Sequence, residues 1–175
     1  MLMNLSGVLS EQHRPIDEMV LPELDSVQLK SGAYPVIHKD PVHVTVTHRK
    51  DRELQIQADG KVTLRIPCDR CLEEVEYEFP LHFTRYVDLG CSDAELREGF
   101  DESDFINGYH LDVDKMLFQE ILMCWPEKVL CMEDCRGICN VCGQNLNKGS
   151  CDCEDTGLDP RMSVVRELFK NFKEV

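Results

Sequence analysis

The stretch KVTLRIPCDRCLEEVEYEFPLHF, residues 61–83, decides the fold. Val62, Leu64 and Ile66 alternate with polar residues as far as Pro67. Beyond Cys68-Asp69-Arg70-Cys71 the alternation resumes as Val75, Tyr77, Phe79, Leu81 and Phe83. A period of two puts every second side chain on one face of a strand, so both runs read as half-buried strands of an antiparallel sheet. The same pattern reaches back through Leu54 and Ile56 to Val42, Val44 and Val46, which stand against His43, Thr45 and Thr47. Asp59-Gly60 lies between two such runs and predicts a tight hairpin, because both residues tolerate positive φ. Past Phe83, Arg85 takes the next apolar place and Tyr86 falls one position late, which predicts a bulge or strand end near Thr84. The sheet is expected over residues 41–88.

Outward from that sheet the pattern changes. Residues 1–40 mix Pro15, Pro22 and Pro35 with short apolar pieces and read as an extended N-terminal arm lying along the sheet. Residues 88–104 carry Asp93, Glu95, Glu98, Asp101 and Glu102 against Arg97 and read as an acidic loop. Asp112 then precedes Val113, Met116, Leu117, Glu120, Ile121 and Cys124, the spacing of a capped amphipathic helix that stops before Pro126. Asp159-Pro160 opens a last helix whose apolar face is Met162, Val165, Leu168, Phe169 and Phe172. The predicted fold class is α+β: an antiparallel sheet packed by one or two helices over residues 41–130, followed by a cysteine-rich zinc loop and terminal helix over 131–175.

With 42% hydrophobic residues in 175, the chain can bury a real core. Its opening residues lack the basic and apolar regions of a secretory signal, and charges interrupt every later apolar run, so a cytoplasmic protein without a membrane span is expected. The formal net charge of −14 repels a phosphate backbone unless basic groups gather on one face. A basic protein partner suits that charge better than broad nucleic-acid binding.

Six of the ten cysteines fall between Cys131 and Cys153. Crowding of this kind in a reducing compartment favours a metal over a disulfide scaffold. Cys139-Asn140-Val141-Cys142-Gly143 has the form of a zinc knuckle: two intervening residues let a turn aim both sulfurs at one ion, and Gly143 permits the positive φ that follows. The quartet Cys139, Cys142, Cys151 and Cys153 is the expected zinc site, with Cys135 or Cys131 as a substitute should the one-residue spacing of the last pair be too tight. Thiolates alone would also serve an iron-sulfur cluster, but a polar loop that needs an ion in order to fold favours zinc. Cys68 and Cys71 are read three ways: half of a second site completed by Cys131 and Cys135, a structural pair, or a dithiol redox centre. The last is weakened by Glu73 and Glu74, whose charge is expected to raise thiol pKa values. The six histidines are scattered, no phosphate loop or nucleophile triad stands out, and no catalytic residue is assigned.

The order of these pieces carries a resemblance. Cys68-Asp69-Arg70-Cys71-Leu72-Glu73 between strands, the acidic gap, the helix before Pro126, CMEDCRGICNVCGQNLN with CDC, and then Asp159-Pro160-Arg161 together resemble the YceD-like large ribosomal RNA subunit accumulation proteins of bacteria and plastids, over most of residues 40–175. The resemblance implies a non-enzymatic role in ribosome biogenesis that supports accumulation of the large-subunit RNA, with zinc as an accessory stabiliser. Combined with the charge, it points to a large-subunit precursor or a basic ribosomal protein as partner. The alternatives are direct RNA binding through a patch of Arg49, Lys50 and Arg52, or a redox switch at Cys68 and Cys71.

Overall fold

A computed structural model describes residues 1–50, 53–88 and 104–153. The chain divides into two compact units, one of Met1–Ile66 with Glu74–Val129 and one of Pro67–Glu73 with Leu130–Val175. The first is mostly antiparallel β-structure. Its strands are β1 (Leu2–Asn4), β2 (Ile16–Val20), β3 (Ser26–Leu29), β4 (Gly32–Lys39), β5 (Val42–His48), β6 (Glu53–Pro67), β7 (Glu74–Asp88), β8 (Ile106–Asn107) and β9 (His110–Asp112), with the helices α1 (Ser6–Leu9) and α2 (Val113–Met123). The larger sheet runs β2-β5-β6-β4-β3, and β7 pairs with β6. A small sheet runs β1-β9-β8. The predicted terminal helix and nearly all of the acidic loop lie outside the described residues.

β6 organises the large sheet. Leu54, Ile56, Ala58, Val62, Leu64 and Ile66 are all buried, so one side-chain parity holds from end to end of its fifteen residues. This overturns the hairpin expected at Asp59-Gly60. A two-residue turn there would set residue 58 opposite 61, and hence Leu54, Ile56 and Ala58 on the face of Lys61, Thr63 and Arg65. The strand instead runs straight through. Asp59 pairs with His43 of β5, and two residues beyond Gly60 the partner becomes β4, with Val62 opposite Lys39. Glycine is required at this crossing for a different reason: a Cβ on Gly60 would stand 2.8 Å from Val42 Cγ2 and 3.1 Å from Val42 Cα. The hairpin that does precede β6 closes around Lys50, where Arg49 N–H donates to Glu53 O at 2.8 Å and Glu53 N–H donates to Lys50 O at 3.2 Å.

β7 returns along β6. Side-chain contacts Arg65–Glu74, Lys61–Glu78, Asp59–His82 and Gln57–Thr84 fall in opposite chain order, as in an antiparallel pair. No slip occurs near Thr84. Phe79, Leu81 and Val87 are buried on one parity, Arg85 keeps its place in that row, and Tyr86 points outward at 52% exposed. Arg85 can sit inward because its guanidinium donates to Glu120 Oε2 of α2 at 2.7 Å and to Met123 Sδ. Glu120 is the buried charge of the core, and it too is paired.

Residues 1–40 supply β1 to β4, and Met3, Leu5, Val8, Val20 and Val27 are buried in the same core. α2 starts as expected: the Asp112 side chain accepts from Lys115 N–H at 3.2 Å and satisfies a free amide of the first turn. Val113, Met116, Leu117 and Ile121 form its buried stripe. Just past the helix, Trp125 lies 5.0 Å from the Tyr34 ring and 5.5 Å from that of Phe79. Among the described residues no helix is long and apolar enough to cross a membrane.

Replacing Arg85 with Ala leaves the Glu120 carboxylate without its partner. The expected loss is about 2 kcal/mol in urea unfolding, below the full cost of breaking a buried pair because Arg85 keeps some exposure. The double variant Arg85→Met with Glu120→Leu should recover most of it, and a double variant no more stable than Arg85→Ala would contradict this account of the pair.

Candidate metal centre

The second unit gathers eight thiols in two groups. Cys68, Cys71, Cys131 and Cys135 form one, and Cys139, Cys142, Cys151 and Cys153 the other; within each group every sulfur lies within 4.8 Å of the rest. Cys68 Sγ is 3.8 Å from Cys135 Sγ, and Cys71 Sγ is 3.4 Å from Cys131 Sγ. These are not disulfides, whose sulfurs sit about 2.05 Å apart, and all eight cysteines are free. Four thiolates bound tetrahedrally at about 2.3 Å would be spaced about 3.8 Å from one another. Both groups therefore have the donor set and the size for one metal ion each.

The expected quartet is brought together, and Cys131 and Cys135 fall with Cys68 and Cys71 instead. Cys124 joins neither group, its thiol facing Glu120 Oε1 at 3.5 Å. Cys91 lies outside the described residues.

Local hydrogen bonding explains the placement, and it repeats. Cys68 N–H donates to Glu73 O at 2.7 Å and Leu72 N–H to Cys68 O at 3.0 Å; in the second group Cys139 N–H donates to Gln144 O at 2.8 Å and Gly143 N–H to Cys139 O at 2.9 Å. Arg70 N–H points at Cys68 Sγ (3.5 Å), and Val141 N–H at Cys139 Sγ (3.4 Å). Both Cys-x-x-Cys segments are thus the same knuckle, with a left-handed residue after the second cysteine: Leu72 at φ 62° and Gly143 at φ 75°. Glycine adopts that conformation without strain, whereas leucine does not.

Three residues that spacing did not single out complete the first group. Asn147 Nδ2 donates to Cys135 Sγ at 3.2 Å while its Oδ1 accepts from Arg136 N–H at 2.7 Å. Arg70 Nη1 donates to Cys135 O at 2.7 Å. Lys148 forms an ion pair with Glu73. Such partners orient ligands and temper their charge, but Asn147 lies twelve positions from the cysteine it serves and only the folded loop connects them.

The thiols of each group divide the negative charge unequally. Burial pushes Cys68 up, but N–H donors of Cys71, Arg70 and Cys131 outweigh it and bring the thiol to about 6. Asn147 holds Cys135 below its ordinary value. Cys71 is drawn down by the Glu73 N–H and by the Cys131 thiol, yet burial and the Cys68 and Cys135 thiols carry it upward on balance. Cys131 is pushed up to about 12, chiefly by the Cys71 sulfur against it. In the other group the N–H groups of Cys142 and Val141 bring Cys139 to about 6. Cys151 is raised by Cys139 and by burial, which together outweigh the Cys153 N–H, and Cys153 is pushed up to about 12 by Cys142. The expectation that acidic neighbours raise both thiols of the first pair fails for Cys68, where knuckle amides stabilise the thiolate, and the rise at Cys71 comes from burial and from other thiols rather than from the carboxylates of Glu73 and Glu74.

Of the basic patch considered in the sequence, Arg49 and Lys50 are exposed at the turn before β6, with the Arg49 guanidinium 5.1 Å from the Tyr86 ring centroid. Arg52 lies outside the described residues.

A β-rich unit joined to a double four-cysteine module defines a protein with two thiol groups that could each hold a metal ion. Residues 54–169, which span β6, β7, α2 and all eight clustered cysteines, match the family "Large ribosomal RNA subunit accumulation protein YceD", and the chain belongs to that family. It is also similar to "Large ribosomal RNA subunit accumulation protein YCED homolog 1, chloroplastic" of Arabidopsis thaliana, at 25% identity over 159 residues, covering 73% of this chain and 50% of the relative. The chain thus spans about half the length of that curated relative. No solved structure matches it.

Metal loading should release protons in proportion to the raised thiols. At pH 7 Cys71 and Cys131 keep theirs in the metal-free first group, as do Cys151 and Cys153 in the second, so each ion displaces at least two. Affinity should consequently fall as pH is lowered, since protons compete for the same sulfurs. Calorimetric titration in buffers of different ionisation enthalpy measures the count, and release of fewer than two protons per ion would contradict this charge distribution.

Proposed function

We propose that the chain is a non-enzymatic accumulation factor for the large ribosomal RNA whose cysteine module is folded around two zinc ions. The observation that carries the metal assignment is the sorting of eight thiols into two groups of tetrahedral size inside the region that matches the family. Closed four-cysteine sites suit zinc, which imposes no geometry of its own and leaves no open position for chemistry. When bound, the ion neutralises half the charge of each quartet and staples loops that have few apolar residues. Cys68, Cys71, Cys131 and Cys135 hold one ion, and Cys139, Cys142, Cys151 and Cys153 the other. Redox exchange at Cys68 and Cys71 is the weaker reading, since a dithiol centre has no use for two further sulfurs at the same range.

The family name supports a role in accumulation of the large-subunit RNA. The net charge of −14 supports the choice of partner: an acidic factor of this kind engages the assembling particle through one of its basic proteins, shielding that protein until it reaches RNA.

Native mass spectrometry of the purified chain should show two zinc ions, and one ion each for Cys68→Ser and Cys139→Ser. A single ion in the unsubstituted protein, or iron in place of zinc, overturns the metal assignment. Affinity capture from lysate at gentle salt should recover large-subunit precursors. Their absence, with metal content intact, overturns the proposed role while leaving the metal assignment standing.

A further inference from the structure

The first unit pairs half of its described lysines and arginines with its own carboxylates. Lys39 pairs with Asp25, Lys61 with Glu78, Arg65 with Glu74, Arg85 with Glu120 and Lys115 with Asp104. Arg14, Lys30, Arg49, Lys50 and Lys128 have no ion pair among the described residues and all are exposed; Arg14, Arg49 and Lys50 of these adjoin aromatic rings. They are linked through rings. Arg14 follows His13, whose ring stacks on that of His48 with centroids 3.8 Å apart and planes 20° from parallel. Arg49 and Lys50 follow His48, and the Arg49 guanidinium covers Tyr86, an outward side chain of β7.

This arrangement is held at a conformational cost. His13 has φ 44°, in the left-handed region that a non-glycine residue rarely occupies. A tight loop keeps it there: His13 N–H donates to Ser10 O, Arg14 N–H to Gly7 O, and the His13 ring contacts Val8 O at 3.2 Å through Nδ1. Strain of this kind persists only where the surroundings enforce it, and its result here is to lay the exposed His13 ring on the half-buried ring of His48 beside three cations without ion pairs.

We propose that this surface, His13, Arg14, His48, Arg49, Lys50 and Tyr86, binds single-stranded RNA, with the cations on phosphates and the Arg49–Tyr86 stack as a platform for an unpaired base. Guanidinium planes and aromatic rings accept bases of any identity, whereas a duplex keeps its bases stacked internally and offers only backbone to such a surface. The chemistry fits a local exception within an acidic protein: net negative charge excludes RNA from the remaining surface and so confines binding to one short strand segment. The inference rests on the proposed role in large-subunit RNA accumulation and adds a direct RNA contact to it.

The test is fluorescence anisotropy with labelled single-stranded 12-nucleotide RNA and a duplex of the same length, using the full chain with its metals. The unsubstituted protein should prefer the single strand, with a log–log salt slope of about −2 for two to three phosphates. Tyr86→Ala should weaken binding about tenfold, the loss of one stacking platform. The double variant Arg49→Gln with Lys50→Gln should flatten the salt slope, while Lys30→Gln, on the β3–β4 turn, should change neither. Thermal melting and zinc content, measured on the same samples, separate loss of the surface from loss of fold. Equal affinity for the duplex, or binding unmoved by both patch variants, overturns the inference. So does recovery of a basic protein partner with no detectable single-strand binding, an outcome that would leave the proposed function in place. Failure to recover any large-subunit precursor would instead strike at that function, whatever the anisotropy shows.

Discussion

Side-chain parity along β6 is the constraint on which the first unit rests. A strand can present an apolar residue at every second position for fifteen residues only if its backbone neither turns nor slips, and Leu54 to Ile66 meet that condition through Gly60. Once the buried face of β6 is set, the faces of its neighbours follow: Val44 opposes Ala58, and Val46 opposes Ile56. The same parity runs along β7 and carries Arg85 inward, where α2 must supply a carboxylate. Glu120 is therefore a consequence of the sheet's register as much as of the helix's own pattern.

The second unit is governed by charge rather than by apolar burial. Four thiols within 4.8 Å cannot all ionise without a cation, and the split between thiols near 6 and thiols near 12 expresses that conflict directly. The repeated knuckle resolves part of it by aiming amide N–H groups at one sulfur of each quartet. A metal ion bound to either quartet would offset the rest, and folding of the loops would then be coupled to its binding.

These two organising principles leave different marks on the surface. The first unit pairs half of its described cations with nearby carboxylates, which suits a protein carrying net charge −14, and three cations without ion pairs adjoin aromatic rings where the His13 loop meets the turn before β6. A whole-chain charge describes the far field and governs encounter, while recognition is decided within about a Debye length of particular groups.

Much of this was legible in the residues alone. Alternation identified the strands, Asp112 the helix start, and the spacing of Cys139, Cys142, Cys151 and Cys153 a group that the fold does bring together, because periodicity, capping and knuckle turns are set by residues a few positions apart. Asp59-Gly60 has the composition of a turn, but the even numbering of the apolar residues on both sides of it is the parity of one continuous strand. Near Thr84 the pattern suggests a slip because the partner that makes Arg85 acceptable stands 35 residues away. Asn147 beside Cys135, the joining of Cys68 and Cys71 to Cys131 and Cys135, and the stacking of His13 on His48 likewise depend on contacts between distant segments. The sequence by itself determined which residues prefer strands, caps and metal; the tertiary structure alone decided which of them meet, because side-chain pairing across a fold is a property of register and loop closure that no local pattern encodes.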